Sequence, residues 1–79
     1  MVYMGNIIKA YESLPEKREQ NGDEYEVTLH FGDNLSIRIQ ETDEINKVNG
    51  DLEIIREGVC DIIIDTAFVK YISTRKRWL

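Results

Sequence analysis

Near its end the chain carries two short apolar runs separated by a tight step. Ile62–Ile64 forms the first run, Asp65–Phe68 forms the step, and the second run begins at Val69. Isoleucine and valine are branched at Cβ and favour strands, and so short a step allows only a sharp corner. Two strands joined by such a corner are typical of a very small β-barrel, because a short barrel closes only where the chain bends sharply. The sequence therefore predicts a mainly β fold.

Earlier strands are indicated by the alternation of apolar and polar residues along the chain. Two such stretches flank the turn Gly32–Asn34, which predicts an antiparallel hairpin. Asn49-Gly50 predicts a second hairpin, which pairs Val48 with Asp51, because both turn residues tolerate the positive φ of a type I′ turn. We count five antiparallel strands in the barrel, at about residues 24–31, 35–42, 44–48, 51–56 and 59–64, with a short last strand at 69–73.

An amphipathic α-helix is predicted before the strands, over about residues 6–14. Asn6 is a suitable capping residue, and Ile7, Tyr11 and Leu14 recur at helical spacing on one face. A second helical stretch over residues 15–20 has almost no apolar side chain to bury. We expect all of residues 1–79 to form a single domain, because the chain is too short for two.

The apolar faces of these elements define a predicted core. A domain of this length buries only about 60–65% of the surface that its unfolded chain exposes, which leaves its stability marginal. Open sheet edges also attract further strands, so we expect the protein to associate with copies of itself. The predicted core comprises Ile7, Tyr11, Val27, Leu29, Ile37, Ile39, Ile54, Ile62, Ile64 and Tyr71.

The order of these elements resembles that of the Sm-like and broader SH3-like small β-barrels. The shared features are the N-terminal helix, the strands in meander order, and a final strand, corner and strand that end in Val69–Ile72. The resemblance implies an N-terminal α-helix followed by a five-stranded antiparallel barrel, and an oligomer that binds RNA. At the last corner, however, the chain has Asp65–Ala67, where Sm-like proteins usually place a basic and a small residue for RNA contact.

Catalytic and metal-binding signatures are missing from the sequence. His30 is the single histidine and falls on the polar face of its strand, where no partner is identified to orient it as a base. Cys60 is the single cysteine and is expected in the core, so no disulfide can form within the chain and a cytoplasmic setting is favoured. No apolar run approaches the ~20 residues that span a bilayer. We therefore predict no enzymatic activity, cofactor, metal or membrane partner.

Charge is distributed unevenly along the chain. The net charge is −5, yet all fifteen acidic residues lie at or before Asp65, and every charged side chain among the last ten residues is positive. Residues 74–79 form a basic tail in which cations flank an aromatic ring, which suits phosphate contact with base stacking, or docking into a protein groove. An unstructured end suits the composition of the tail equally well, and its cations can also pair with the acidic body. The candidate partner-binding residues are Lys70, Arg75, Lys76, Arg77 and Trp78.

Two classes of function remain open. The first is a small acidic protein-interaction module that associates with itself or covers a basic surface on a host protein, of the kind that phages and mobile elements carry. The second is an Sm-like oligomeric RNA-binding protein that uses the basic tail. The acidic balance favours the first class, because an acidic body repels a phosphate backbone. Nucleic acid is therefore the less favoured partner.

Overall fold

The computed structural model describes residues 2–59 and 61–77. Two helices open the described chain, α1 at Met4–Glu12 and α2 at Leu14–Asn21. Within the described residues six strands follow: β1 Tyr25–Gly32, β2 Leu35–Gln40, β3 Glu44–Val48, β4 Asp51–Ile55, β5 Ile62–Ile64 and β6 Tyr71–Lys76. A one-turn 3₁₀ helix, Thr66–Phe68, makes the corner between β5 and β6. The prediction of a mainly β fold with an N-terminal helix is confirmed.

The strands form two three-stranded antiparallel sheets, and in the described chain neither sheet closes into a barrel. Sheet A has the strand order β2-β1-β6, and sheet B has the order β3-β4-β5. The prediction of a closed five-stranded barrel is therefore wrong in both closure and strand count. Closure fails because β2 and β5 each end a sheet, and no ladder of hydrogen bonds joins them.

The chain passes from sheet A to sheet B through a short turn at residues 41–43. The strand predicted over 35–42 ends at Gln40, because the Asp43 N–H donates to the Gln40 carbonyl (3.0 Å) and bends the chain. The last strand also differs from its predicted bounds of 69–73. It runs from Tyr71 to Lys76 and therefore includes the first half of the predicted basic tail.

Both predicted hairpins are present. Asn49 and Gly50 have φ values of 52° and 85°, and Val48 pairs with Asp51 as the turn predicts. In the first hairpin Gly32, Asp33 and Asn34 all have positive φ values, at 99°, 47° and 67°. These turns explain why the alternating segments fold back on themselves locally.

The first helix begins earlier than its sequence indicates. Tyr3 occupies the N-cap position without a side-chain hydrogen bond, and Asn6 lies inside the helix. Ile7 and Leu14 are fully buried and fix the helices against sheet A. Neither helix in the described part of the chain combines the length and apolar character needed to cross a membrane.

The core lies between the helices and the two sheets. Of the predicted core residues, Tyr11 and Ile37 are only half-buried, and Ile62 and Tyr71 are exposed. Tyr71 faces outward because Leu29 pairs with Ile72, which places Ile72 on the core face and its neighbour on the opposite face. The buried apolar residues are Ile7, Leu14, Val27, Leu29, Ile39, Leu52, Ile54, Ile64 and Val69.

A buried ion pair fixes the passage between the two sheets. The carboxylate of Asp43, whose side chain is fully buried, accepts hydrogen bonds from Nε and Nη2 of Arg56, each at 2.8 Å, and from the Gln40 N–H at 2.8 Å. Arg56 Nη2 also donates to the Arg38 carbonyl (3.0 Å), and the Tyr11 hydroxyl donates to the Asp43 carbonyl. The network thus ties α1, β2 and the residue after β4 to a single turn.

Electrostatics within this network favour the ionised carboxylate. Burial by itself would raise the pKa of Asp43, but the hydrogen bonds from Arg56 and the Gln40 N–H, with the Arg56 charge, hold it below its usual value. The same contact raises the pKa of Arg56. Burial and the nearby Asp43 charge raise the pKa of the Tyr11 hydroxyl. The ion pair therefore stays charged across the neutral range.

Candidate interaction surfaces

The predicted partner-binding residues do not form a free tail where the structure describes them. Arg75 and Lys76 belong to β6 and pair with Glu26 and Tyr25 of β1. The Arg77 N–H extends this ladder by donating to the Glu24 carbonyl (2.7 Å). Their backbone is therefore held by the central strand of sheet A. Trp78 lies outside the described residues, as does Cys60.

Two of these cations form ion pairs with acidic residues that lie just before β1. Lys76 Nζ lies 3.1 Å from Asp23 Oδ2, and Arg77 Nη1 lies 3.1 Å from Glu24 Oε2. Such surface pairs stabilise a fold by only about 0–1 kcal/mol. They do, however, reduce the positive charge that Lys76 and Arg77 present to a partner.

Lys70 is placed away from the other cations, just before β6. Its N–H donates to the His30 carbonyl (2.8 Å), and its side chain lies across Gly32. A Cβ at Gly32 would lie 2.9 Å from Lys70 Nζ, and the φ of 99° there also favours glycine. The glycine thus lets the lysine side chain cross the end of β1.

An apolar groove lies between the two open edges, β2 and β5. Three large apolar side chains are mostly exposed there: Ile63 at 60%, Leu35 at 63% and Phe68 at 69%. The groove has a volume of about 310 Å³, and Asp65 is the single charged residue that lines it. We call this surface the seam. Its lining residues are Phe31, Leu35, Ile37, Ile62, Ile63, Ile64, Asp65 and Phe68.

The β5 edge differs in chemistry from the edge at the other side of sheet B. β3 presents exposed Glu44, Asn46 and Lys47 to solvent, and such polar and charged residues discourage pairing with another strand. β5 consists of Ile62–Ile64 alone, with apolar side chains on both of its faces. An unprotected apolar edge of this kind favours the addition of a further strand.

A second surface is the face of sheet A that points away from the core, where Glu26 and Thr28 are buried at the centre and the residues of the flanking strands are mostly exposed. His30 and Tyr71 are neighbours across β1 and β6, and their rings stack with centroids 4.2 Å apart and planes 9° apart. His30 Nε2 lies 2.9 Å from Ser73 Oγ, which fixes the orientation of the imidazole. The residues on this face are Glu26, Thr28 and His30 of β1, Ser36, Arg38 and Gln40 of β2, and Tyr71, Ser73 and Arg75 of β6.

Cations surround a single buried carboxylate on this face. Glu26 is buried beneath Arg38, whose Nε lies 3.8 Å from Glu26 Oε1. Arg75 pairs with Glu26 from the other side across the strand ladder. A groove here of about 120 Å³ is lined by Glu26, Thr28, His30, Ser36, Arg38, Arg75 and Lys76. Its three arginine and lysine side chains outnumber its one carboxylate, so the groove is positive in an acidic protein.

Neither surface contains an assembled catalytic or metal centre. In the described chain, no carboxylate hydrogen-bonds to His30, so the His30–Ser73 contact lacks the orienting acid of a hydrolase triad. Within residues 2–59 and 61–77 there is no cluster of three His, Cys, Asp or Glu side chains that could hold a metal ion. The absence of enzymatic activity stays a prediction.

Sequence reasoning identified neither surface. Ile62–Ile64 is apolar throughout, so its alternation could not reveal which side chains face solvent. The stack of Tyr71 on His30 depends on the pairing of β1 with β6, which no local pattern predicts. Comparisons of the chain with protein-family models, with curated proteins and with solved structures returned no match.

Proposed function

We propose that this protein is a small acidic protein-interaction module that associates with a second copy of itself through the seam. The observation that carries the proposal is the apolar edge strand β5, whose Ile63 is mostly exposed beside Leu35 and Phe68. An edge strand has unpaired N–H and C=O groups that another strand can satisfy. Strand addition at β5 would bury these side chains and satisfy those groups in one step.

A second copy is the occupant that the chemistry of the seam favours. A two-fold contact places the same apolar patch on both sides, so the patch has to be complementary only to itself. With Asp65 as the single charged residue lining it, the seam offers little to attract a strongly charged partner. The net charge of −5 opposes association at long range, but salt screens this repulsion over about 10 Å at 0.1 M.

The expected dimer is weak. Complete burial of one large aliphatic or aromatic side chain contributes about 1.5–3 kcal/mol. Because the exposed seam side chains are already partly buried, the free energy gained by burying them is comparable with the ~4–15 kcal/mol lost as two molecules become one. We therefore expect a reversible dimer that is populated at high micromolar concentration rather than an obligate assembly.

Analytical ultracentrifugation of the full chain across a concentration series tests this proposal. Ile63→Lys places a charge on the exposed face of β5, and we expect it to abolish the dimer while leaving the thermal transition nearly unchanged. Asn46→Lys is the matched control, because it introduces the same charge on the exposed opposite edge of sheet B. A parent chain that is monomeric at high micromolar concentration, or an Ile63→Lys variant that dimerises as the parent does, would contradict the proposal.

We also propose that the chain is an open relative of the SH3-like small barrels. Supporting this are the meander of β3, β4 and β5, the 3₁₀ turn that follows it, and the return of β6 to pair with β1. Counting β2 and β3 as one strand, broken at residues 41–43, reduces the six strands to five. The RNA-binding alternative has less support, because Lys76 and Arg77 already pair with acidic residues.

A further inference from the structure

We propose that the outer face of sheet A binds a nucleotide, with the planar base stacked on Tyr71 and the phosphate held between Arg38 and Arg75. This site is separate from the seam, and it uses the face of β1 that points away from the core. A nucleotide joins a flat ring to an anion. The face offers an exposed aromatic ring and a positive groove that meet at His30.

The ring-binding half of the site is Tyr71. Its side chain remains 55% exposed although it is aromatic and lies in a regular strand. One face of the ring stacks on His30, which is itself held by Ser73 Oγ. The tyrosine is therefore ordered before any ligand arrives, so a base that stacks on it loses little free energy to ordering the side chain. Stacking of a base on an aromatic side chain contributes about 1–3 kcal/mol.

The phosphate-binding half of the site is the groove across the middle of the sheet. Arg38 lies opposite Thr28 and Arg75 lies opposite Glu26 on the two strands that flank β1, so their Cα atoms are offset along the sheet and separated by about 12 Å. Two arginine side chains can converge over a gap of that width, and their planar guanidinium groups suit phosphate oxygens. Thr28 is buried between them, and the Ser73 hydroxyl, which contacts His30 Nε2, lies beside Arg75 and can donate a hydrogen bond to a ligand when His30 is the donor in that contact.

Charge and spacing support the same ligand. In the described chain, Arg75 forms no salt bridge with a carboxylate, and Arg38 has only the 3.8 Å contact to Glu26. Tyr71, Ser73 and Arg75 follow one another on this face of β6 at steps of about 6.6 Å between Cα atoms, so a ligand stacked on Tyr71 can extend along the strand towards Arg75. Because the rest of the chain is acidic, we expect weak, salt-sensitive binding.

Titration of the ¹⁵N-labelled full chain with adenosine monophosphate, followed by NMR, tests the site. We expect saturable shifts of the amides of Thr28, His30, Tyr71, Ser73 and Arg75. Inorganic phosphate alone should bind more weakly and shift mainly the residues near the two arginines, and adenosine alone should shift mainly those near Tyr71. A short adenine oligonucleotide distinguishes the source of the ligand: affinity that rises with length indicates a strand, and unchanged affinity indicates a free nucleotide.

Matched variants separate the two halves of the site. Tyr71→Leu should weaken adenosine monophosphate binding about ten-fold while leaving phosphate binding unchanged, and Arg75→Gln should weaken both. The controls are Tyr3→Leu and Lys47→Gln, which alter an exposed aromatic residue and an exposed cation elsewhere. All four positions are exposed, so the spectra should report folded proteins. No saturable shift with adenosine monophosphate, or equal weakening in variants and controls, would overturn the proposal.

Discussion

Replacing Arg56 with alanine should destabilise the protein more than replacing Asp43, although both changes break the same ion pair. Arg56→Ala leaves a fully buried carboxylate with the Gln40 N–H as its remaining donor, and an unpaired buried charge costs about 3–5 kcal/mol. Asp43→Ala leaves an arginine whose side chain is 36% exposed and can turn to water. Asp43→Ala should therefore lower the free energy of unfolding mainly through the lost hydrogen bonds, by about 1.5–3 kcal/mol.

The pH dependence gives a second, independent signature of the same pair. In the parent the pKa of Asp43 is lower in the folded than in the unfolded state. The ionised carboxylate therefore makes its full contribution to the free energy of unfolding above the unfolded pKa of ~3.9, and this contribution disappears as the pH falls through the pKa of the folded state. Without Arg56, burial instead raises the pKa of Asp43. The difference in stability between parent and Arg56→Ala should therefore shrink as the pH is lowered from 7 towards about 4.

Urea unfolding at several pH values measures both effects. Lys76→Ala is a suitable control, because both side chains of its ion pair with Asp23 are exposed and the pair should contribute only about 0–1 kcal/mol. If Arg56→Ala is too unstable to give a native baseline, Arg56→Lys can be measured instead. This variant keeps the positive charge but loses the two-fold hydrogen bonding, so its free energy of unfolding should lie between those of the parent and the alanine variant. Equal losses from Arg56→Ala and Asp43→Ala, with no pH dependence of their difference, would refute this reasoning.

Two further predictions concern packing and turn geometry. Leu29→Ala should lower the free energy of unfolding by about 2–5 kcal/mol, because Leu29 is fully buried. Ile37→Ala should lower it by clearly less, because Ile37 lines the seam. Equal urea midpoints for the two variants would contradict the assigned faces. Gly50→Ala should cost about 1–2 kcal/mol in thermal unfolding, because the φ of 85° disfavours a side chain even though the space around it is open.

Local patterns predict the parts of this fold that form between neighbours in sequence. The alternation on either side of Gly32–Asn34 and the Asn49-Gly50 signal are sufficient for two hairpins. Long-range pairing is different: nothing near Tyr71 indicates that its strand will lie beside His30. For the same reason the burial of Asp43 could not be anticipated, since its partner Arg56 follows an intervening hairpin and both are charged residues that usually lie at the surface.

The pairing of β1 with β6 has a consequence for the order in which the chain folds. Tyr25 lies opposite Lys76, so the central strand of sheet A receives its second neighbour from a segment more than half the chain away. Sheet B, in contrast, joins three strands that follow one another directly. Contacts between distant segments are slow to form because a long loop must close first. Sheet B can therefore form from neighbouring strands alone, whereas sheet A is complete only after Tyr71–Lys76 has returned to the start of β1.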